Sequence, residues 1–130
     1  MKEYYMNNQE EAITQIVERV SGVSREEIRG RCRIKKIAIP RSILGYMLRA
    51  DLGCTYKRAG ELVGRDHASV IKYNRDHDDN FRYYHDYKIL FREIQSRYIN
   101  EFKGVKFKVI QQQIEDLQEQ LEVIKKQQEY

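Results

Sequence analysis

The side chains of this chain that are best suited to chemistry lie in one short run, Gly64-Arg65-Asp66-His67-Ala68-Ser69-Val70. The carboxylate of Asp66 can accept from a cytosine amino group, and the imidazole of His67 can donate to a purine edge. The methyl group of Ala68 suits contact with a thymine methyl. We predict that these three side chains contact DNA bases from the start of a helix in the major groove. For Asp66 the alternative is helix capping alone.

A helix-turn-helix is the element that would position these side chains. Thr55 is a suitable N-cap for a short helix that ends at Val63, and Gly64 can end that helix in the left-handed conformation. Asp66 can then cap a second helix. Gly60 leaves room for the two helices to cross closely. A short helix, a glycine turn and a second helix with small polar residues at its start form this motif.

Basic and hydroxyl side chains around the motif suit contacts with the phosphate backbone. Arg41 is expected to open its own helix, where a guanidinium and backbone amides can hold a phosphate. Arg33 lies on a connector, from which an arginine can enter the adjacent minor groove; by itself, a lone arginine is by default solvated. The other candidates for phosphate contacts are Lys57, Arg58, Arg65, Ser69 and Lys72.

Charge is unevenly distributed along the 130 residues, whose net charge is +4. Between Arg25 and Arg75 there are 13 Lys and Arg against 5 Asp and Glu. The basic excess therefore lies on the segment with the predicted motif, as expected of a protein that binds the phosphate backbone. A solvated basic face is the alternative.

The sequence contains no pattern typical of an enzyme or a metal site. Asp66 and His67 are neighbours on a helix and point in different directions, so they do not form an acid–base pair. Cys32 and Cys54 lack the close spacing of zinc ligands and suit a reducing compartment. No stretch is long and apolar enough to span a membrane. We expect a cytoplasmic, nucleoid-associated protein that is not an enzyme and uses no metal or cofactor.

The spacing of apolar residues predicts an all-α fold, with a compact bundle of four or five helices over residues 9–80. Ser24 begins a short helix with a capping box. Pro40 is expected in the first turn of the next helix. The backbone N–H groups of a first turn have no partner within the helix, so the N–H that proline lacks is not missed there. That helix is predicted to bury an apolar face formed by Ile43, Leu44, Met47, Leu48 and Leu52.

Residues 81–130 are predicted to form a long helical tail. Its last part repeats apolar residues at alternating three- and four-residue steps, as in a coiled coil. This seam consists of Phe107, Ile110, Ile114, Leu117, Leu121 and Ile124. The positions beside the seam carry almost no charge, which favours self-association, so we expect a homo-oligomer. A single amphipathic helix that folds back on its own domain is the alternative.

Residues from about Ala12 to Asn80 resemble the C-terminal DNA-binding domain of the bacterial chromosomal replication initiator DnaA. The family opens its recognition helix with R-D-H-[TS]-[TS]-V, which corresponds here to Arg65–Val70. A basic turn of the family corresponds to Arg31-Cys32-Arg33, followed by Arg41. The resemblance implies a helical domain that binds double-stranded DNA at a short asymmetric site, the DnaA box, with Arg33 in the minor groove.

The chain departs from the family pattern at several positions. Ala68 stands where a Thr or Ser usually meets DNA, and Tyr56 and Lys57 stand where Leu-Pro is common. The chain has no Gly-x-x-x-x-Gly-Lys-Ser/Thr loop, so we expect no use of ATP.

The function that these observations favour is sequence-specific binding of double-stranded DNA, in control of replication or transcription, for a bacterium, a phage or a mobile element. A protein-interaction adaptor that uses the helical tail and binds DNA weakly, without sequence preference, is the alternative.

Overall fold

Helices make up nearly all of the structure, a computed structural model that describes residues 6–128, with backbone alone for residues 102–110. No strand occurs in that part of the chain, which confirms the all-α fold. The helices in chain order are α1 Asn8–Ser21, α2 Arg25–Arg29, α3 Lys35–Ala50, α4 Tyr56–Val63, α5 His67–Tyr83, α6 His85–Tyr98 and α7 Gly104–Gln128. A π-helical turn, Ile99–Lys103, joins the last two.

Side-chain caps mark the starts of four helices. Asn7, Ser24, Thr55 and Asp66 each accept a hydrogen bond from the backbone N–H three residues ahead. The caps predicted at Ser24, Thr55 and Asp66 are therefore confirmed. A cap of this kind stabilises a helix by about 0.5–2 kcal/mol, because it satisfies a backbone donor that has no partner within the helix.

The start of α3 differs from the prediction. Pro40 lies inside the helix, which begins at Lys35, so its placement in the first turn was wrong. A proline at this position removes the backbone hydrogen bond that would reach Lys36. The earlier start also buries Ile37 and Pro40, which are at most 7% exposed, and apolar burial of a large side chain contributes about 1.5–3 kcal/mol. Burial outweighs the local preference of proline here.

The core of the first compact unit, which extends to Ser96, is formed by apolar faces of α1 to α6. Its fully buried side chains include Ile13, Val17, Ile28, Ile43, Leu44, Met47, Leu48, Val63, Val70 and Ile94. The unit thus continues past Asn80, where the sequence placed the boundary, because α6 contributes the buried residues Tyr87, Phe91 and Ile94. Five helices, α1 to α5, correspond to the bundle predicted for residues 9–80, and α6 is a sixth helix of the first unit.

The second unit, Arg97–Tyr130, contains the end of α6, the π-helical turn and α7. Gly104 is the first residue of α7. Four residues of the predicted coiled-coil seam, Ile114, Leu117, Leu121 and Ile124, are 48–64% exposed. The side chains of Phe107 and Ile110 lie outside those that the structure describes.

Candidate nucleic-acid interface

The turn between α4 and α5 has the backbone that the sequence predicted. Gly64 ends α4 with φ of 68°, a left-handed conformation that favours glycine. A Cβ atom on Gly60 would lie 2.5 Å from the carbonyl oxygen of Arg65, so only glycine lets this backbone approach. Gly60 therefore admits the turn itself, rather than the crossing of two helices. The result is a tight helix-turn-helix.

The start of α5 presents the predicted base-contacting side chains to solvent. Asp66, His67 and Ala68 are all exposed, whereas Val70 is fully buried and anchors the same turn of helix. Oδ1 of Asp66 accepts from the backbone N–H and the hydroxyl of Ser69, each at 2.9 Å. These bonds hold the pKa of Asp66 below its usual value, so the carboxylate is ionised and remains an acceptor at neutral pH.

The exposed face of α5 continues beyond its first turn. Ile71 is 41% exposed, Lys72 is exposed, and the side chain of Arg75 is 69% exposed and paired with Asp76. Ile71 and Arg75 lie four and eight residues after His67, on the same helical stripe. Sequence reasoning missed both, although this spacing would have indicated them. An apolar side chain on this stripe suits a thymine methyl group.

A second basic surface surrounds the start of α3. Arg31 and Arg33 are exposed on the connector after α2, which we call the basic loop, residues 31–34. Ile34 provides no side-chain cap for α3, and the exposed Lys35 and Lys36 follow it. An uncapped helix start with lysines suits a phosphate. Lys35 lines one groove together with Lys72 of α5, so this surface lies close to the recognition helix.

The phosphate contact predicted for Arg41 is not supported. Arg41 lies in the middle of α3 and is 3% exposed, so it does not open a helix. Its guanidinium donates to the carbonyl oxygens of Ile28 at 2.6 Å, Gly30 at 3.1 Å and Glu27 at 3.3 Å. Arg41 therefore donates to carbonyls at the end of α2, where a helix leaves its last carbonyl groups without partners from the next turn. Burial is the main reason why its pKa is lowered.

Arg58 is engaged in ion pairs with the protein, although its side chain is 29% exposed. Its Nε and Nη2 atoms donate to the Glu10 carboxylate at 3.0 and 2.9 Å, and Glu61 lies 3.5 Å from Nη1. The hydrogen bonds from Arg58 lower the pKa of Glu10, whose side chain is 5% exposed. This pair ties α4 to α1 and occupies the donors of Arg58 that face Glu10, so a phosphate contact by Arg58 would compete with it. Its neighbour Lys57 is exposed, as a phosphate contact requires.

Arg65 and Ser69 are engaged with the protein as well. Arg65 donates to the carbonyl oxygens of Gly64 and Gly30 at 2.9 and 2.8 Å, and the hydroxyl of Ser69 donates to Asp66. Arg65 is half-buried. Of the six phosphate candidates, Lys57 and Lys72 are thus the two with exposed side chains for which the structure records no hydrogen bond.

Other kinds of site find little support among the described residues. They contain no group of three or more His, Cys, Asp or Glu side chains that could hold a metal ion. None of the helices in this part of the chain has the length and apolar character needed to cross a membrane. His77 and His85 do not join His67, since His77 is buried and His85 lies exposed at the start of α6.

The glycine turn and the exposed start of α5 define a helix-turn-helix protein. The family model described as "Bacterial dnaA protein helix-turn-helix" matches residues 10–76, just over half of the 130 residues. The chain therefore belongs to this family, and the resemblance inferred from its motifs is confirmed. Membership of the family supports DNA binding in general.

Curated relatives match the same part of the chain. The chromosomal replication initiator protein DnaA 2 of Chlamydia caviae is 37% identical over 59 residues, which are 45% of this chain and 13% of that protein. The DnaA protein of Kosmotoga olearia is 36% identical over 63 residues, 48% of this chain and 14% of that protein. The DnaA protein of Herpetosiphon aurantiacus is 38% identical over 60 residues, which are 45% of this chain and 13% of that protein. The match thus covers 13–14% of the length of these relatives.

Proposed function

We propose that this protein binds double-stranded DNA at a specific site, with the start of α5 in the major groove. The observation that carries the proposal is that the first turn of α5 has one exposed and one buried side. Asp66, His67 and Ala68 are exposed, and Val70 is fully buried. A helix anchored on one side and polar on the other can enter the groove without losing core contacts. Asp66 would accept from a cytosine amino group, His67 would donate to a purine, and Ala68 would contact a thymine methyl.

The basic loop supplies the second contact in this proposal. Arg33, exposed on that loop, enters the adjacent minor groove, where an A·T-rich sequence concentrates negative potential. Lys57 and Lys72 contact phosphates, and Lys35 and Lys36 at the uncapped start of α3 add two contacts that the sequence did not suggest. Together these contacts cover a site that is short and asymmetric, as a DnaA box is.

The proposed role is regulatory and not enzymatic. The protein binds at its site without ATP or a cofactor, in the cytoplasm on the nucleoid, and controls replication or transcription for a bacterium, a phage or a mobile element. The absence of a phosphate-binding loop motif from the sequence supports binding without ATP.

We also propose that α7 joins two or more copies of the chain. Its seam residues Ile114, Leu117, Leu121 and Ile124 are 48–64% exposed, and side chains of this kind are stabilised when a partner helix covers them. The flanking positions are Gln111, Gln113, Gln118, Gln120, Lys125 and Gln127. Because these flanks carry almost no charge, they do not repel an identical helix. Linked domains would favour paired DNA sites through a high effective concentration.

Selection of bound sequences from a random duplex library tests the proposed function. We expect an enriched motif of about nine base pairs with an A·T-rich segment at one side, because a recognition helix and one minor-groove arginine contact roughly that length of DNA. Salt-dependent binding without any enriched motif would instead support the protein-interaction adaptor, whose DNA affinity comes from charge alone.

A further inference from the structure

One backbone carbonyl, that of Gly30, joins the basic loop to the rest of the fold. It accepts from Nη2 of Arg65 at 2.8 Å and from Nη2 of Arg41 at 3.1 Å. Gly30 immediately precedes Arg31, the first residue of the basic loop. The point from which this loop leaves the core is therefore held by two guanidinium groups, one from α3 and one from the turn before α5.

Arg65 connects that point directly to the recognition helix. Its Nη1 atom donates to the carbonyl oxygen of Gly64 at 2.9 Å, while its Nη2 atom donates to Gly30. The donors of a guanidinium lie in one rigid plane, so the two bonds set the distance between the two carbonyls. Arg65 itself is the residue before Asp66, the cap of α5. One side chain thus fixes the loop relative to the start of α5.

Two further contacts hold the same junction. Gly64 packs so closely on the end of α2 that a Cβ atom would lie 2.7 Å from the carbonyl oxygen of Arg29. Nε of Arg29 donates to the carbonyl oxygen of Leu62 at 3.1 Å. The backbone on both sides of the junction is therefore immobilised, and Arg65 acts on a well-defined geometry.

Two cations on one carbonyl are unfavourable for stability alone. The guanidinium groups of Arg41 and Arg65 carry the same charge and donate to one oxygen atom, so they repel each other, and the charge of Arg65 adds to burial in lowering the pKa of Arg41. A single donor would satisfy the Gly30 carbonyl without that repulsion. The second donor has a clear geometric effect, since it is the one that reaches the α4–α5 turn.

We propose that Arg65 is a positioning residue that sets the basic loop at a fixed distance from α5, so that Arg33 and His67 contact DNA at the same time. The inference rests on the proposed function and changes the role of Arg65, which was predicted to contact phosphate. Arg65 acts through Arg33: it confers preference for the correct site, and it adds little to binding of arbitrary duplex DNA.

Binding of Arg65→Lys to the selected site and to random duplex tests this role. Lysine keeps the charge but has no planar group that can span both carbonyls. We expect a loss of about ten-fold in affinity for the selected site, with random duplex and its salt dependence unchanged. Arg82→Lys is the matched control, since Arg82 is an exposed arginine near the end of α5, fifteen residues after His67, and belongs to none of the DNA contacts proposed above. It should leave the site preference unchanged.

A double-variant cycle with Arg33→Ala adds a readout that a merely structural residue would not affect. If Arg65 acts by placing Arg33, Arg65→Lys should have little effect once Arg33 is absent. In the Arg33→Ala background, we expect it to lower the affinity for the selected site by less than about two-fold. Arg65→Gln serves as a second variant, and thermal unfolding of each protein verifies that it is folded.

Three results would contradict the proposal in distinguishable ways. Independent losses from Arg33→Ala and Arg65→Lys would overturn it and leave the proposed function intact. The proposal would also fail if Arg65→Gln lost affinity equally for all duplexes while Arg65→Lys kept the affinity of the wild type. That pattern is the behaviour of a phosphate contact. A wild-type protein without a preferred site would overturn the proposed function and this inference with it.

Discussion

His67 and His77 lie on the same helix in opposite environments. His67 is exposed at the start of α5, whereas His77 is 7% exposed and stacks on Tyr46 with 3.6 Å between ring centroids. Nδ1 of His77 lies 2.7 Å from the hydroxyl oxygen of Tyr87, at hydrogen-bonding distance. Of these two histidines, only His67 is exposed, and His77 belongs to the core.

His67→Ala is expected to weaken binding to the selected site by about 1–3 kcal/mol, because it removes a donor to a base edge. Arg33→Ala should cost a similar amount. Both should leave binding to random duplex nearly unchanged, which a gel-shift series on the two kinds of DNA measures.

Lys57→Ala is the matched control for these variants. Loss of one phosphate contact should weaken binding to every duplex alike and reduce the salt dependence by about one charge. An equal loss on specific and random DNA for His67→Ala would contradict its role in reading bases.

Glu10→Gln is expected to destabilise the fold by about 1–3 kcal/mol, because it replaces the carboxylate that accepts two hydrogen bonds from Arg58. The pKa of Glu10 is lower in the folded protein than its ordinary value of 4.5. The unfolded chain therefore binds the proton more readily, and the wild type loses this contribution to stability as the pH falls below about 4.5. Urea unfolding at pH 7 and at acidic pH measures both effects.

The control for Glu10 is Glu26→Gln, since Glu26 is an exposed glutamate on α2. It should leave the free energy of unfolding nearly unchanged. Equal stability of the Glu10 and Glu26 variants would show that the pair with Arg58 contributes nothing.

At the scale of the elements, aromatic contacts hold α6 on α3 and α5. Phe91 of α6 meets the ring of His77 edge-on at 4.6 Å between centroids and that of Tyr46 at 5.8 Å. Such pairs add about 0.5–1.5 kcal/mol beyond burial. This cluster explains why the first unit reaches Ser96, and it joins α5 to α3 and α6.

Acidification is expected to destabilise the contact of α6 through His77. Burial lowers the pKa of His77 below its ordinary value of 6.5, although the nearby Asp78 and Asp51 oppose this shift. The unfolded chain therefore binds more protons as the pH falls below about 6.5, and the free energy of unfolding decreases there. Thermal unfolding at pH 7.5 and 5.5 measures the change.

His77→Phe should be less sensitive to pH over this range, since phenylalanine keeps an aromatic ring in the stack and cannot be protonated. His85→Gln is the matched control because His85 is exposed, and it should retain the pH sensitivity of the wild type. An unchanged pH dependence in His77→Phe would assign the effect to other groups.

At the scale of the whole molecule, the apolar seam of α7 determines how copies of the chain associate in our proposal. Leu117→Gln combined with Leu121→Gln should lower the molar mass in solution toward that of one chain, because polar side chains at seam positions weaken a coiled coil. Light scattering on the full chain measures the mass. Affinity for one isolated site should stay the same, while the advantage of paired sites should be lost.

The matched control is Val123→Gln, whose valine is 55% exposed but lies beside the seam and not on it. It should leave the molar mass unchanged. A wild-type protein that is already a single chain in solution would contradict self-association.

Local signals in the sequence were reliable where the structure depends on neighbouring residues. The caps at Ser24, Thr55 and Asp66, the left-handed Gly64 and the exposed start of α5 all involve groups within a few residues of each other. The predictions for Pro40 and Arg41 were wrong for the opposite reason, and the ion pair of Arg58 was not foreseen for the same reason. Arg58 finds Glu10 48 residues away, and Arg41 finds the carbonyl of Ile28 13 residues away.

The sequence by itself determined that this protein is all-α, where its helix-turn-helix lies, and which side chains open α5, because capping and turn formation are local. Only the tertiary structure decided which arginines remain on the surface. A buried carboxylate or the unpaired carbonyls at a helix end attract a guanidinium from a distant part of the chain, and no spacing in the sequence records that attraction.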